Sequence, residues 1–196
     1  LWMTASMGLC LGAEAATLRV PSQHPTIRQA VSAAANDDTV LVADGTYHEW
    51  WIGSSMPGKN VKVTSENGPT RTVIDGNGVD ILFLLNTNWT GKTFEINGFT
   101  IRNGDCETGV APGGGAIHSR SGADIRIWNN IFESNRSAYD GGAIWLEGGN
   151  AFIANNVFTG NGCYRSGWTG GAVYLRSVEA CGVANNTFFG NTTVSG

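Results

Sequence analysis

Three short segments that each begin with Gly-Gly-Ala carry aromatic and charged side chains at matching positions. These residues are His118, Trp145 and Tyr174 at one position and, two places further on, Arg120, Glu147 and Arg176. Because side chains alternate between the two faces of a strand, both sets are expected to form columns on one outward face. Aromatic rings beside Arg and Glu groups suit a sugar chain, whose C–H faces stack on rings and whose hydroxyls or carboxylates bind charged groups.

The same columns also have purely structural interpretations. The charged column alternates in sign, so Glu147 can pair with an Arg on either side, and each such pair contributes about 0.2 to 1 kcal/mol. The aromatic column can serve only to shield the sheet. Carbohydrate binding along this face is therefore one hypothesis beside these two.

Catalytic residues are harder to identify. Acid/base cleavage of a glycan requires two carboxylates about 5 to 9.5 Å apart, whereas a lyase uses Ca²⁺ held by clustered carboxylates and a basic group. The acids from position 105 onward are sparse: Asp105, Glu107, Asp124, Glu133, Asp140, Glu147 and Glu179. No strand carries an Asp-x-Asp cluster. The sequence thus assigns no catalytic residue, no metal site and no cofactor, with Ca²⁺ expected only if the protein is a lyase.

The elements that position these columns form a unit written three times. Each unit joins Gly-Gly-Ala-[Ile/Val] to a later Asn-Asn and Phe-x-x-Asn, and its Phe recurs 26 residues (Phe132 to Phe158) and then 30 residues later (Phe188). Apolar residues between the motifs alternate with period two, which indicates strands and excludes a helical solenoid. Like strands at a fixed repeat can pair in parallel if the chain coils around one axis, with coils about 4.8 Å apart.

Identical residues are then expected to stack in columns. Phe132, Phe158 and Phe188 are predicted inside, and two asparagine columns are predicted at the turns: Asn130, Asn156 and Asn186, and Asn135, Asn161 and Asn191. Stacked amides can bond to the neighbours above and below, which satisfies polar groups at a buried bend. Asn97-Gly98-Phe99 is predicted to align with Asn130 to Phe132, so that the repeat begins before the first Gly-Gly-Ala.

The pairing of Gly-Gly-Ala-[Ile/Val] with Phe-x-x-Asn resembles the repeats of right-handed parallel β-helix proteins, including the passenger regions of polymorphic outer-membrane proteins. The resemblance spans roughly residues 94 to 191. It implies the fold rather than a chemistry, because the matching residues are structural.

The N-terminal region has a different pattern. A short strand over 17–21 precedes an amphipathic helix with Thr26 as its N-cap, and Ile27, Ala30, Val31 and Ala34 form its apolar face. The order V-P-x-x-x-P-T-I-x-x-A-V, then D-T-V-L-V-x-x-G-T-Y-x-E, resembles the start of pectate-lyase-like and pectinesterase-like β-helix proteins. That resemblance implies a helix that caps the first coil, where apolar core and strand edges would otherwise be exposed. The pectinesterase Asp before a Phe-Gly pair is absent.

The first residues predict export. Leu1 to Gly12 is apolar and is followed by Ala13-Glu14-Ala15, the pattern of a secretory signal peptide remnant over 1–15. Three cysteines remain after its removal. Cys181 is predicted to be a buried thiol in the inward column of Ile125 and Ala151, while pairing of Cys106 and Cys163 stays open, and no zinc spacing is present.

Charge and hydropathy limit the partners. A net charge of −4 argues against nucleic acid, and no apolar run reaches the length of a transmembrane segment.

The sequence thus predicts an all-β, right-handed parallel β-helix solenoid with an N-terminal amphipathic capping helix. Strand and capping helix are assigned to 16–38 and the coils to 39–196, with further C-terminal coils expected beyond Gly196. The leading functional hypothesis is a secreted or cell-surface protein that engages polysaccharide or a cell-surface glycan. The alternatives are an adhesin-like or structural surface solenoid, and a polysaccharide lyase or hydrolase.

Overall fold

The computed structural model describes residues 14–107 and 113–194. The predicted signal peptide remnant over 1–15 therefore lies outside the described residues except for Glu14 and Ala15. The described chain contains one short α-helix, α1 (Ile27–Ala33), and a single 3-10 turn at Thr87–Trp89.

Short strands make up the rest of the regular structure. In chain order they are β1 (Thr17–Val20), β2 (Asp38–Val42), β3 (Gly45–Tyr47), β4 (Val61–Ser65), β5 (Thr72–Asp75), β6 (Phe83–Leu85), β7 (Thr93–Asn97), β8 (Thr100–Arg102), β9 (Asp105–Cys106), β10 (Ile117–Ser119), β11 (Asp124–Trp128), β12 (Ile131–Glu133), β13 (Arg136–Ser137), β14 (Ile144–Glu147), β15 (Asn150–Ala154), β16 (Val157–Thr159), β17 (Gly162–Cys163), β18 (Val173–Arg176), β19 (Ala180–Ala184), β20 (Thr187–Phe189) and β21 (Thr192–Thr193).

The strands form four parallel sheets that run along the molecule. Sheet A has the order β1-β2-β4-β7-β11-β15-β19, sheet B β20-β16-β12-β8-β5-β3, sheet C β18-β14-β10-β6 and sheet D β21-β17-β13-β9. From β7 onward the chain visits sheets A, B, D and C in turn and then returns to sheet A one rung further on. The protein is therefore a right-handed parallel β-helix, as predicted.

Alternation of side chains creates the core. In β7, Phe94 and Ile96 are fully buried, while Glu95 between them points outward. The next rung repeats this pattern, because Ile125 pairs with Phe94 and Arg126 pairs with Glu95. Apolar residues therefore line one continuous interior along the axis, and a slip of one residue would turn them outward.

Two asparagine ladders hold the coils in register, as predicted. Asn130 donates from its side-chain Nδ2 to Ile96 O (3.1 Å) and to Asn156 Oδ1 (3.2 Å), and Asn156 donates in the same way to Ile127 O and Asn186 Oδ1. The second ladder joins Asn135, Asn161 and Asn191 with Nδ2 to Oδ1 distances of 3.0 and 2.8 Å. The amides thus satisfy backbone groups that the corners would otherwise leave unpaired.

The predicted phenylalanine column is also present, with Phe132 and Phe158 fully buried, but Phe188 is 51% exposed because β20 belongs to the last described coil. Phe132 and Phe158 stack with ring centroids 4.8 Å apart and an interplanar angle of 7°, and Phe158 stacks on Phe188 at 4.8 Å and 5°. This separation equals the spacing of neighbouring strands.

One predicted alignment is wrong. Asn97 pairs with Trp128 rather than Asn130, and Ile101 pairs with Phe132. The reason is the left-handed corner, which Gly98 and Asn129 occupy at equivalent places with φ of 82° and 55°. Phe99 therefore takes the place of a ladder asparagine, and its backbone N–H donates to Asn130 Oδ1 at 2.9 Å.

The helix expected after the N-cap Thr26 is present as α1. The Thr26 hydroxyl accepts a hydrogen bond from Gln29 N (3.1 Å), and the Glu49 carboxylate accepts from Ile27 N and Arg28 N at 2.7 and 2.9 Å. The helix contacts β1 and β2 and buries Ile27, Ala30 and Val31. Its role as a cap over the first coil stays a prediction.

The cysteines correct one expectation. Cys181 pairs with Ala151 in the inward column, as predicted, but its thiol is exposed because β19 belongs to the last described coil. Cys106 and Cys163 share a column with Ser137 between them. Two rungs separate their α-carbons by about 9.6 Å, which is beyond the reach of a disulfide.

Replacing a ladder residue should lower stability strongly. Asn156→Ala removes the side-chain hydrogen bonds to Ile127 O and to the buried backbone N–H of Asn130, so we expect the free energy of unfolding to fall by about 3 kcal/mol. Urea unfolding followed by circular dichroism measures this. The matched control is Asn67→Ala, which removes one exposed side-chain bond to Asp44 and should change stability by less than about 0.5 kcal/mol. Equal losses in the two variants would contradict the ladder's role.

Candidate ligand-binding surfaces

The predicted aromatic column exists on sheet C. His118 pairs with Trp145, and Trp145 pairs with Tyr174, in neighbouring strands β10, β14 and β18. The rings of His118 and Trp145 stack at 4.6 Å with an interplanar angle of 6°, and those of Trp145 and Tyr174 lie 6.4 Å apart at 16°. The sequence therefore placed these three candidates correctly in one column.

The expected exposure of this column is wrong. His118 is only 4% exposed and Trp145 only 2%, while Tyr174 is half-buried. The backbone at Gly113 passes directly over the rings, because its carbonyl lies 2.9 Å from His118 Nδ1 and a Cβ there would approach Trp145 Cδ1 to 2.7 Å. Glycine thus allows the backbone at position 113 to pack against the column, where His118 and Trp145 are buried.

The charged column forms the alternating ladder that the sequence suggested. Glu147 Oε2 lies 3.1 Å from Arg120 Nε, and Glu147 Oε1 lies 3.5 Å from Arg176 Nε. Both arginine side chains are more than half exposed. Arg120, Glu147, Arg176 and the half-buried Tyr174 are therefore the accessible members of the predicted binding face, and their role in binding stays a proposal.

A second surface lies on the outer face of sheet A. A cleft of about 500 Å³ runs across three rungs there, lined by Glu95, Asp124, Ile125, Arg126, Trp128, Asn150 and Phe152. A smaller cleft of about 220 Å³ shares Glu95 and Arg126 with it and continues toward Asp37, Asn60 and Lys62. We call the two together the sheet A groove. Its long direction crosses successive strands and so follows the axis of the β-helix.

Fixed polar contacts form one side of the groove. The Glu95 carboxylate accepts a hydrogen bond from Trp128 Nε1 (3.1 Å) and pairs with Lys62 Nζ (3.2 Å). Lys62 Nζ also lies 5.5 Å from the centre of the Trp128 ring. These contacts hold the half-buried indole in one orientation and neutralise Glu95.

The other side of the groove presents groups with fewer contacts. Phe152 is 47% exposed on the rung beside Arg126, and Arg126 forms no ion pair with any residue that the structure describes. Asp124 Oδ1 accepts from Asn150 Nδ2 (2.8 Å), which keeps this carboxylate in a polar ladder. The groove thus combines an accessible ring with an available guanidinium.

Sequence reasoning missed the sheet A groove although its signal was present. Glu95, Arg126 and Phe152 occupy one outward column of β7, β11 and β15, which strict alternation of these strands predicts. The Gly-Gly-Ala motifs precede the strands of sheet C and mark them in the sequence, whereas no glycine motif marks the strands of sheet A.

Two of the sparse acids, Asp105 and Asp140, have structural partners. Asp105 binds Arg136 through a hydrogen bond of 2.8 Å, and burial nevertheless raises the pKa of the Asp105 carboxyl. Asp140 Oδ1 accepts from Thr169 N at 2.7 Å. Among residues 14–107 and 113–194, no three His, Cys, Asp or Glu side chains are grouped to hold a metal ion.

The buried imidazole should make stability depend on pH. Burial lowers the pKa of His118 to about 4. The hydrogen bond to Gly113 acts in the opposite direction and raises this pKa, while the positive charge of Arg120 lowers it a little further. The unfolded chain binds this proton near pH 6.5, so neutral His118 stabilises the fold above that pH. This contribution, up to about 3 kcal/mol, is lost as the pH falls from about 6.5 to about 4.

We therefore expect His118→Phe to flatten the decrease in unfolding free energy between pH 6.5 and 4, measured by urea unfolding at each pH. His48→Phe, which alters an exposed histidine, controls for the loss of a surface imidazole. Parallel stability curves for the wild type and His118→Phe would contradict the expectation.

The described residues include no helix with the length and hydropathy needed to cross a bilayer. Comparison with known proteins gives one family match: residues 131–147 match the model described as the Chlamydia polymorphic membrane protein (Chlamydia_PMP) repeat. The matched segment runs from β12 to β14 and includes Phe132, Asn135 and Gly141-Gly142-Ala143-Ile144. No curated protein and no solved structure gives a significant match. The chain is thus a parallel β-solenoid in which part of one coil, residues 131–147, is similar to the repeat of this membrane-protein family.

Proposed function

We propose that this protein is a surface-exposed, adhesin-like β-solenoid that engages polysaccharide through the sheet A groove. A surface location and an adhesive or structural role fit the similarity of residues 131–147 to the polymorphic membrane protein repeat. Engagement of a glycan is the finer part of the proposal, and the groove supports it.

The observation that carries the proposal is the exposed Phe152 ring beside the Arg126 guanidinium. Arg126 has no counter-ion among the described residues. An exposed ring offers a flat apolar surface for the C–H face of a sugar, and a guanidinium donates hydrogen bonds to hydroxyl or carboxylate oxygens. The polar side chains of Asp124 and Asn150 line the same cleft.

Shape also favours a chain-like ligand. The groove follows the axis across the rungs of β4, β7, β11 and β15, so one extended polymer can contact Lys62, Arg126 and Phe152 together. Repeated contacts along one chain add up even where each contact is weak. The covered column of His118 and Trp145 offers no comparable surface.

Glycan binding by the full chain tests the proposal. A glycan array that includes neutral and uronate-containing polymers identifies ligands, and isothermal titration measures the dissociation constants. We expect Phe152→Ala and Arg126→Gln each to weaken binding about tenfold, because each removes about 1.4 kcal/mol of contact with the sugar. Both side chains are exposed, so the fold should be retained.

Two control variants separate the groove from the other surfaces. Phe189→Ala removes a ring that is 75% exposed outside the groove, and Arg176→Gln removes an exposed cation on sheet C. Both should bind as the wild type does. A selective loss with Arg176→Gln or Tyr174→Ala would instead place the ligand on the charged ladder of sheet C. Absence of binding to every polymer would leave a structural solenoid as the better description.

A further inference from the structure

One loop is longer than the equivalent loop of the preceding coil. Five residues, 136–140, separate Asn135 from Gly141, whereas eight residues, 162–169, separate Asn161 from Gly170 in the next coil. Flanking strands β13 and β17 still pair in register, so the extra residues form a longer loop without disturbing the coil. In repeat proteins, such insertions map to loops on one face, which often is the binding face.

The longer loop carries residue types that dominate protein interfaces. Trp168 is 39% exposed and packs edge-on against Tyr139, with ring centroids 5.3 Å apart at 82°. The Arg165 guanidinium lies 5.7 Å from the centre of the same Tyr139 ring. We call Tyr139, Arg165 and Trp168 the loop cluster. Tryptophan, tyrosine and arginine are the side chains most enriched among energetic hot spots.

Hydrogen bonds fix the end of this loop. Asp140 Oδ1 accepts from Thr169 N (2.7 Å) and from Thr169 Oγ1 (3.1 Å), and Cys163 Sγ donates to Thr169 O at 3.4 Å. The loop cluster is therefore held between two anchored coils, which lowers the entropy that would be lost on binding.

The charged side chains around the loop cluster leave the guanidinium of Arg165 available to a partner. Arg136 pairs with Asp105 at 2.6 Å, and the Asp140 carboxylate is occupied by Thr169. Glu107, which is exposed, acts electrostatically on Asp105, Arg136 and Tyr164. Arg165 forms no ion pair within the described parts of the chain. A guanidinium that contacts only a ring face keeps its N–H groups free to bind a carboxylate.

We propose that the loop cluster is a docking surface for a protein partner that presents an exposed Asp or Glu side chain beside an apolar one. Arg165 binds the carboxylate, and Trp168 with Tyr139 contacts the apolar neighbour. The edge-on packing of the two rings favours a protein over a sugar chain, because it does not present two rings side by side for successive sugars. This surface shares no residue with the sheet A groove and is independent of the glycan proposal.

Selection from a displayed library of random peptides on the 196-residue chain tests the proposal. The Arg165→Gln variant serves for counter-selection, so that peptides bound elsewhere are removed. We expect the enriched peptides to contain Asp or Glu next to an apolar residue. Enrichment of neutral or basic peptides, or no enrichment, would overturn the proposal.

Synthetic versions of an enriched peptide then isolate the charge. Replacing its Glu by Gln should weaken binding at least about tenfold, as should Arg165→Gln and Trp168→Ala in the protein, since a charge-assisted hydrogen bond is roughly twice as strong as a neutral one. Arg126→Gln in the sheet A groove should leave the affinity unchanged, whereas it weakens glycan binding. Equal affinity of the Glu and Gln peptides contradicts the proposal. Displacement of the peptide from the loop cluster by a uronate oligosaccharide would identify a glycan site there instead.

Discussion

The stacking of coils in a fixed register is the constraint on which the rest of this molecule depends. Ladder asparagines such as Asn130 and Asn156 are almost fully buried, and each amide bonds to coils on both sides of it. A coil displaced by one residue would lose these bonds and would turn its apolar side chains outward. Because the ladders fix the register, every outward position also becomes part of a straight column, and these columns are the surfaces available for binding.

The columns differ in exposure because loops cover the sheets unequally. On sheet C, the backbone at Gly113 lies against Trp145 and buries it, and Gly141 likewise lies close to Tyr174. On sheet A, Phe152 remains half exposed and the cleft around it stays open. Two faces built by the same alternation of side chains thus differ in exposure: sheet C packs a stacked aromatic column against the backbone at Gly113, whereas sheet A leaves the Phe152 ring and the cleft around it accessible.

The sequence predicted the fold well and the exposure of the outward columns poorly, for one physical reason. Stacking depends on residues that recur at a fixed period, so the columns of Phe132 and Asn130 could be derived from spacing alone. Exposure depends on the path of the loops, which has no period. The burial of His118 and Trp145 therefore could not be derived, and neither could the exposure of Cys181 in the last described coil. The misplaced alignment of Asn97 shows a further limit, since a left-handed corner accepts Gly98 or Asn129 equally well.

The direction of the hydrogen bonds has a mechanical consequence. In a parallel β-helix the bonds between rungs, including those of both asparagine ladders, point along the long axis. A pull applied between the two ends therefore acts on successive rungs in series, and the weakest rung sets the force at which the rod opens. A sideways drag is instead shared by many rungs at once. A rod of this kind resists shear better than tension, and its coils would peel apart one after another rather than rupture together.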